Sequence, residues 1–279
     1  MPKPLPPSLY AETARPGIAA PSMDGDKRVS VAVIGGGFTG LSSALHLAER
    51  GVDVAVLEAH EPGWGASGRN GGQVNPGLKS DPDQVEADFG PDLGRRMVDF
   101  SSNAPNLVFD LIRAHQIRCE ARKGGTLRAA YAQKTADQVR STAEQYVRRG
   151  MPVALLERAA IRDMTGSDRY LAAMLDRRGG SVNPLGYARG LAEAAARAGA
   201  AIHGGSPALS IARVDKRWAI ETPRGTLHAE KLVIATNAYT DDLWPRLRRS
   251  VVPVFSGIVA TEPLPAALAA RILPNGTAL

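Results

Sequence analysis

The sequence predicts an α/β fold built on a parallel sheet, and three observations carry that prediction. Val29-Ser30-Val31-Ala32-Val33-Ile34 is a nearly continuous apolar, β-branched run, as expected for a parallel strand covered on both faces. It leads directly into Gly35-Gly36-Gly37-Phe38-Thr39-Gly40, which fits G-x-G-x-x-G at Gly35, Gly37 and Gly40. Leu41, Ala44, Leu45, Leu47 and Ala48 then recur near helical spacing, Gly51 stops the helix, and a second apolar run from Val52 to Leu57 ends on Glu58.

Each piece has a task in holding a dinucleotide. Gly35 permits the tight strand-to-helix turn, Gly37 lets backbone approach a pyrophosphate, and Gly40 lets the helix pack closely on the strand. The helix start at Phe38 and Thr39 presents backbone N–H groups and partial positive charge to phosphates. Glu58 lies 18 residues beyond Gly40, where a carboxylate accepts hydrogen bonds from ribose hydroxyls. An acid there also disfavours a cofactor with a 2′-phosphate. Strand, turn, helix, second strand and acid fall in register, which a glycine-rich turn of purely structural origin does not require.

Residues 63–73, Gly-Trp-Gly-Ala-Ser-Gly-Arg-Asn-Gly-Gly-Gln, hold five glycines in eleven positions, too many for a helix. Ser67, Arg69 and Asn70 offer donors to phosphate oxygens or to a flavin edge. Further on, residues 95–116 read as a helix that Pro105 should kink or split in two. Residues 124–131 read as a strand and 133–149 as a polar surface helix. Asn183 is a good N-cap with Pro184 at the first helical position, and Gly199 ends that helix. Strands follow near 200–203, 208–214, 217–222 and 231–235.

The 63–73 segment, with Lys231-Leu232-Val233-Ile234-Ala235-Thr236-Asn237-Ala238-Tyr239-Thr240 and the Val251–Val254 and Ala260–Pro265 stretches, resembles the FAD-binding oxidoreductases of the D-amino-acid oxidase and glycine oxidase superfamily. The branch most resembled is that of the γ-glutamylputrescine oxidases. The resemblance implies a Rossmann-like FAD-binding domain with an interleaved, incomplete α+β substrate domain. It implies FAD as cofactor, with Ser67, Arg69, Asn70, Gly71 and Gly72 along the pyrophosphate and flavin. Thr236 and Asn237 would return to the cofactor from the other side, and backbone near Ala208 would pass the adenine. The expected reaction is hydride transfer from the amine-bearing carbon of an amine or amino acid, followed by imine hydrolysis to an aldehyde or keto acid. No side chain is assigned as catalytic. Members of the family continue beyond position 279, so the chain is expected to be truncated, leaving Val252, Val254 and Ile258 uncovered at an unpaired edge. The alternatives are an NAD-dependent dehydrogenase using the same fingerprint and a non-catalytic FAD-binding remnant.

The expected organisation is a Pro-rich linker or wrapping arm at 1–28, a discontinuous cofactor domain at 29–90 and 150–245, and a partial substrate domain at 91–149 and 246–279. The 279 residues are 44% hydrophobic and 22% charged, which excludes a disordered or fibrous chain. The charge of +6 is spread along the chain and not clustered as a nucleic-acid stripe, and Arg246, Arg248 and Arg249 read as a solvated surface. No apolar run reaches transmembrane length. The single cysteine, Cys119, excludes an internal disulfide, fits a cytoplasmic setting and reads as an inert thiol. His46 and His60 read as surface or packing residues, no His/Cys cluster has metal-ligand spacing, and Ser67 is not in a G-x-S-x-G elbow because Arg69 stands at its last position.

Overall fold

The computed structural model describes residues 3–279. In chain order its elements begin with α1 (Leu9–Thr13), β1 (Lys27–Ile34), α2 (Phe38–Ala48) and β2 (Val54–Leu57). Then come β3 (Gln73–Val74), α3 (Pro82–Phe89), α4 (Pro91–Ala114), β4 (Thr126–Ala130) and α5 (Gln133–Arg148). They are followed by β5 (Val153–Glu157), α6 (Arg158–Thr165), β6 (Ala172–Asp176), β7 (Gly180–Ser181) and α7 (Pro184–Arg197). The last are β8 (Ala201–His203), β9 (Ser210–Val214), β10 (Arg217–Thr222), β11 (Gly225–Ile234) and α8 (Ala266–Ala269).

The chain forms two compact units. The first runs to Gly71 and adds Ile117–Cys119 and Asn183–Val259. Its six-stranded sheet has the order β8-β2-β1-β11-β10-β9. β8, β2, β1 and β11 run parallel, with Ile34 opposite both Leu57 and Ile234. β10 and β9 extend the sheet antiparallel. Side chains alternate across β1: Ala32 and Ile34 join Ala55, Leu57, Ile220 and Leu227 in a core on one face. α2 and α7 pack together and bury Leu41, Leu45, Leu185 and Leu191. Asn183 caps α7 as expected, its side chain accepting the Gly186 N–H at 3.0 Å.

The second unit comprises Gly72–Gln116, Glu120–Val182 and Ala260–Leu279. It holds the antiparallel sheet β4-β6-β5 and the short β3–β7 ladder. Four segments differ from the sequence assignment, Ile117–Cys119 among them, which falls in the first unit. Residues 72–90 and 150–182 belong here and not with the parallel sheet, because β3 pairs with β7 while β6 pairs with β5 on one side and β4 on the other. Residues 246–259, conversely, stay with the first unit.

α4 runs as one helix through Pro105 and not as two shorter ones. Proline has no N–H to give Ser101, four residues back, but the Ser101 carbonyl accepts the Gly77 N–H at 3.1 Å, so its acceptor is not orphaned. Residues 251–260 form no strand, and Phe255 is 94% exposed. A β-branched run becomes a strand only when a partner ladder accepts its N–H and C=O groups, and none is bonded to it here. Among the described residues no helix is long and apolar enough to cross a membrane.

Candidate functional site

The parallel strands β1, β2 and β11 end level with one another, so the turns that follow them converge. The turn after β11 presses on the glycine turn: a Cβ at Gly35 would lie 2.6 Å from the Ala235 carbonyl oxygen, and Gly35 has φ +109°. Only glycine meets both demands. A Cβ at Gly40 would strike the Gly35 carbonyl oxygen, which is the close helix–strand approach that the fingerprint requires.

These turns border a cleft of about 940 Å³ in the first unit. That volume lies toward the upper end of the ~300–1,000 Å³ usual for small-molecule sites. Gly35, Gly37, Glu58, Ser67, Ala208, Thr236 and Asn237 all line it. The other expected residues do not. Phe38 packs against Tyr187 with the rings tilted by 57° and centroids 5.2 Å apart. Thr39 and Gly40 belong to α2. Arg69 donates from Nε to the Trp64 carbonyl (2.8 Å) and lies over the Trp64 ring, while Asn70 donates to the carbonyls of Ala66 and Ser67. Gly71 is the last residue of this unit's first segment, and Gly72 belongs to the second unit, where its carbonyl accepts the Val182 N–H.

Glu58 is engaged on both oxygens. Oε2 accepts the Gly36 N–H at 2.7 Å and Oε1 the His60 N–H at 2.9 Å. Burial pushes its carboxyl above the ordinary range, against the pull of these backbone donors. Ser67 Oγ accepts the Phe38 N–H at 3.0 Å, capping α2 from a separate loop. A Cβ at Gly37 would come 2.8 Å from that hydroxyl. Thr240 Oγ1 donates to the Asn237 carbonyl (2.7 Å), so the 2.6 Å Thr236–Thr240 hydroxyl contact has Thr236 as donor. Thr236 therefore offers the cleft acceptor lone pairs and not a hydrogen.

Several cleft residues were not singled out by sequence. The rings of His60, read there as a surface or packing residue, and Trp64 meet at a 48° tilt with centroids 4.0 Å apart, and Trp64 meets Tyr239 edge-on at 6.3 Å. Burial, then the charges of Lys3 and Arg69, hold the His60 imidazole below its ordinary pKa. Its Nδ1 accepts the Lys3 N–H, which places the proton of the neutral ring on Nε2. Asp241 and Asp242 also line the cleft. Tyr187, behind Phe38, is pushed up to about 12 by burial and stays a neutral packing group.

The site fits a dinucleotide. The N-cap glycine of a helix and an acid at the second strand's end share one cleft, and the bare Gly37 leaves room that a Cβ would fill.

The comparisons with known proteins agree. The family model described as "DAO: FAD dependent oxidoreductase" matches residues 30–277. γ-Glutamylputrescine oxidoreductase of Escherichia coli (strain K12) is 36% identical over 270 residues, covering 96% of this chain and 63% of that protein. A probable oxidoreductase OrdL of Rhizobium meliloti (strain 1021) is 34% identical over 270 residues, with the same coverage. The crystal structure of glycine oxidase from Geobacillus kaustophilus matches with a TM-score of 0.65 at 26% identity, over 80% of this chain and 58% of that one. The chain thus spans 63% of the length of the first of these relatives.

Proposed function

The chain belongs to the DAO family of FAD-dependent oxidoreductases, and from that premise we propose that its first unit is the FAD-binding domain of an enzyme that oxidises an amine or amino acid. The observation that carries the reading is the meeting of Gly35, Gly37, Glu58, Ser67, Ala208, Thr236 and Asn237 around one cleft, from five separate stretches of chain.

The start of α2 with Gly37 would hold the pyrophosphate, through backbone N–H groups and the helix dipole. Glu58 would accept the ribose hydroxyls with the lone pairs that Gly36 and His60 leave, and Ala208 would border the adenine. Ser67, Thr236 and Asn237 would lie toward the flavin. Arg69, with Asn70 and the glycines at 71 and 72, would hold the 63–73 loop in shape. When bound, FAD supplies the two-electron acceptor for the carbon that bears the nitrogen. The protein's own part is to orient that carbon and exclude water, and no general base is required from the residues named here.

The substrate class favoured is a small amine or amino acid, with γ-glutamylated amines the first candidates, since an oxidoreductase of γ-glutamylputrescine is similar over 96% of this chain. The test is anaerobic mixing of the FAD-loaded chain with γ-glutamylated amines, polyamines and small amino acids. Bleaching of the flavin absorbance by at least one of them is expected. A flavin that stays oxidised with every compound would overturn the proposed oxidation by this chain.

A further inference from the structure

The N-terminal arm is not a loose tail. Met23 is buried in the core of the first unit, and its N–H donates to Ser206 Oγ at 2.9 Å. Upstream, the Arg15 carbonyl accepts Arg189 Nη1 at 2.8 Å and the Pro4 carbonyl accepts Trp64 Nε1 at 3.0 Å. The Lys3 N–H then donates to His60 Nδ1 at 3.0 Å, which brings the start of the arm to the rim of the cleft. Successive backbone anchors thus seat the arm, and two of its partners, Trp64 and His60, line the cleft themselves.

The charge lining that cleft is unbalanced. Glu58, Asp241 and Asp242 contribute carboxylates, and Lys3 is the only lysine or arginine among the described residues that line it. Arg69, the cation sequence reasoning would aim at the phosphates, is drawn back onto the Trp64 carbonyl and ring. A ligand with a pyrophosphate brings further negative charge, and an exposed lysine at the rim lowers that cost at moderate ionic strength.

We propose that residues 3–26 are a strap built into the nucleotide site and that Lys3 supplies the cation that faces the ligand's phosphates. The inference rests on the reading of the cleft as the site for the ADP half of FAD. Long-range backbone pairing positions the strap, so the lysine costs the site no rearrangement when the ligand enters.

The test is titration calorimetry of the full chain with ADP at several salt concentrations, for the wild type, Lys3→Met and Lys3→Arg. Lys3→Met is expected to weaken ADP binding about three- to tenfold and to flatten its salt dependence, while Lys3→Arg keeps both and thermal melting is unchanged. Equal affinity and salt slope in Lys3→Met and wild type would overturn the role of Lys3 and leave the nucleotide reading standing. Tighter binding in Lys3→Met would show that the strap obstructs the cleft, and would overturn it too. A wild-type chain that binds neither ADP nor FAD would overturn the nucleotide reading, and this inference with it.

Discussion

Glu58 Oε2 accepts the Gly36 N–H at 2.7 Å, so the acid that ends the second strand braces the glycine turn that ends the first. The carboxylate therefore shapes the cleft as well as lining it. Glu58→Ala leaves the N–H groups of Gly36 and His60 without their acceptor and is expected to cost about 1–3 kcal/mol of stability before any ligand is added. Chemical denaturation of the ligand-free protein measures it.

The same residue gives a pH signature. Burial raises the Glu58 pKa in the folded chain above its unfolded value. Its contribution to stability is therefore full below the unfolded pKa and is lost as pH rises through the folded pKa. The stability difference between wild type and Glu58→Ala should shrink as pH rises across that window. A difference that grows with pH would contradict the assignment.

Gly37 sits at φ −90°, open to any residue, so its substitution acts through space and not through backbone strain. A Cβ there meets Ser67 Oγ. Gly37→Ala should lower thermal stability, and adding Ser67→Gly should recover only part of it, because relieving the clash also removes the acceptor of the Phe38 N–H. FAD affinity should fall in the single variant and stay low in the double one, because the methyl group still fills the pyrophosphate's approach. Recovery of both together would mean that Gly37 serves packing alone.

In the second unit Arg178 Nε donates to Asp176 Oδ1 at 2.9 Å and Nη2 to Oδ2, with side chains only 7% and 3% exposed. Arg178→Met strands a buried carboxylate and is expected to cost about 3–5 kcal/mol by urea unfolding. Adding Asp176→Asn should recover a large part of that loss.

Asn183→Ala tests the start of α7. It removes the acceptor of the Gly186 N–H and the donor to Thr13 Oγ1, so a loss of about 1–2 kcal/mol is expected in thermal unfolding. No change in melting temperature would show that the cap contributes nothing.

The parallel core was legible because its signals are local. Residues 29–34 carry a strand period, 35–40 the glycine spacing and 183–184 a cap, and each chemistry is complete within a few residues. The second unit was less so. In β6, Ala172-Ala173-Met174-Leu175 has no β-branched residue to mark a strand, and its identity comes from β4 and β5 on either side. Val251–Val254 shows the converse, strand composition without a partner. Pro105 stays within one helix, and the Ser101 carbonyl it leaves without an N–H is served by Gly77, remote in sequence. Within the cleft, the glycines, Glu58, Ser67 and Thr236 were readable from motif position. Lys3 was not, because long-range backbone bonds set its place and no local pattern records them.

The central claim is that the cleft at the ends of β1, β2 and β11 receives FAD. Hydrogen–deuterium exchange on the purified chain, with and without FAD, tests it most directly. Slower exchange on FAD addition is expected at residues 35–40, 58–68 and 235–240, with the sheet in the second unit unchanged. FAD-induced protection that is absent from those three segments, or that appears only elsewhere, would contradict the account.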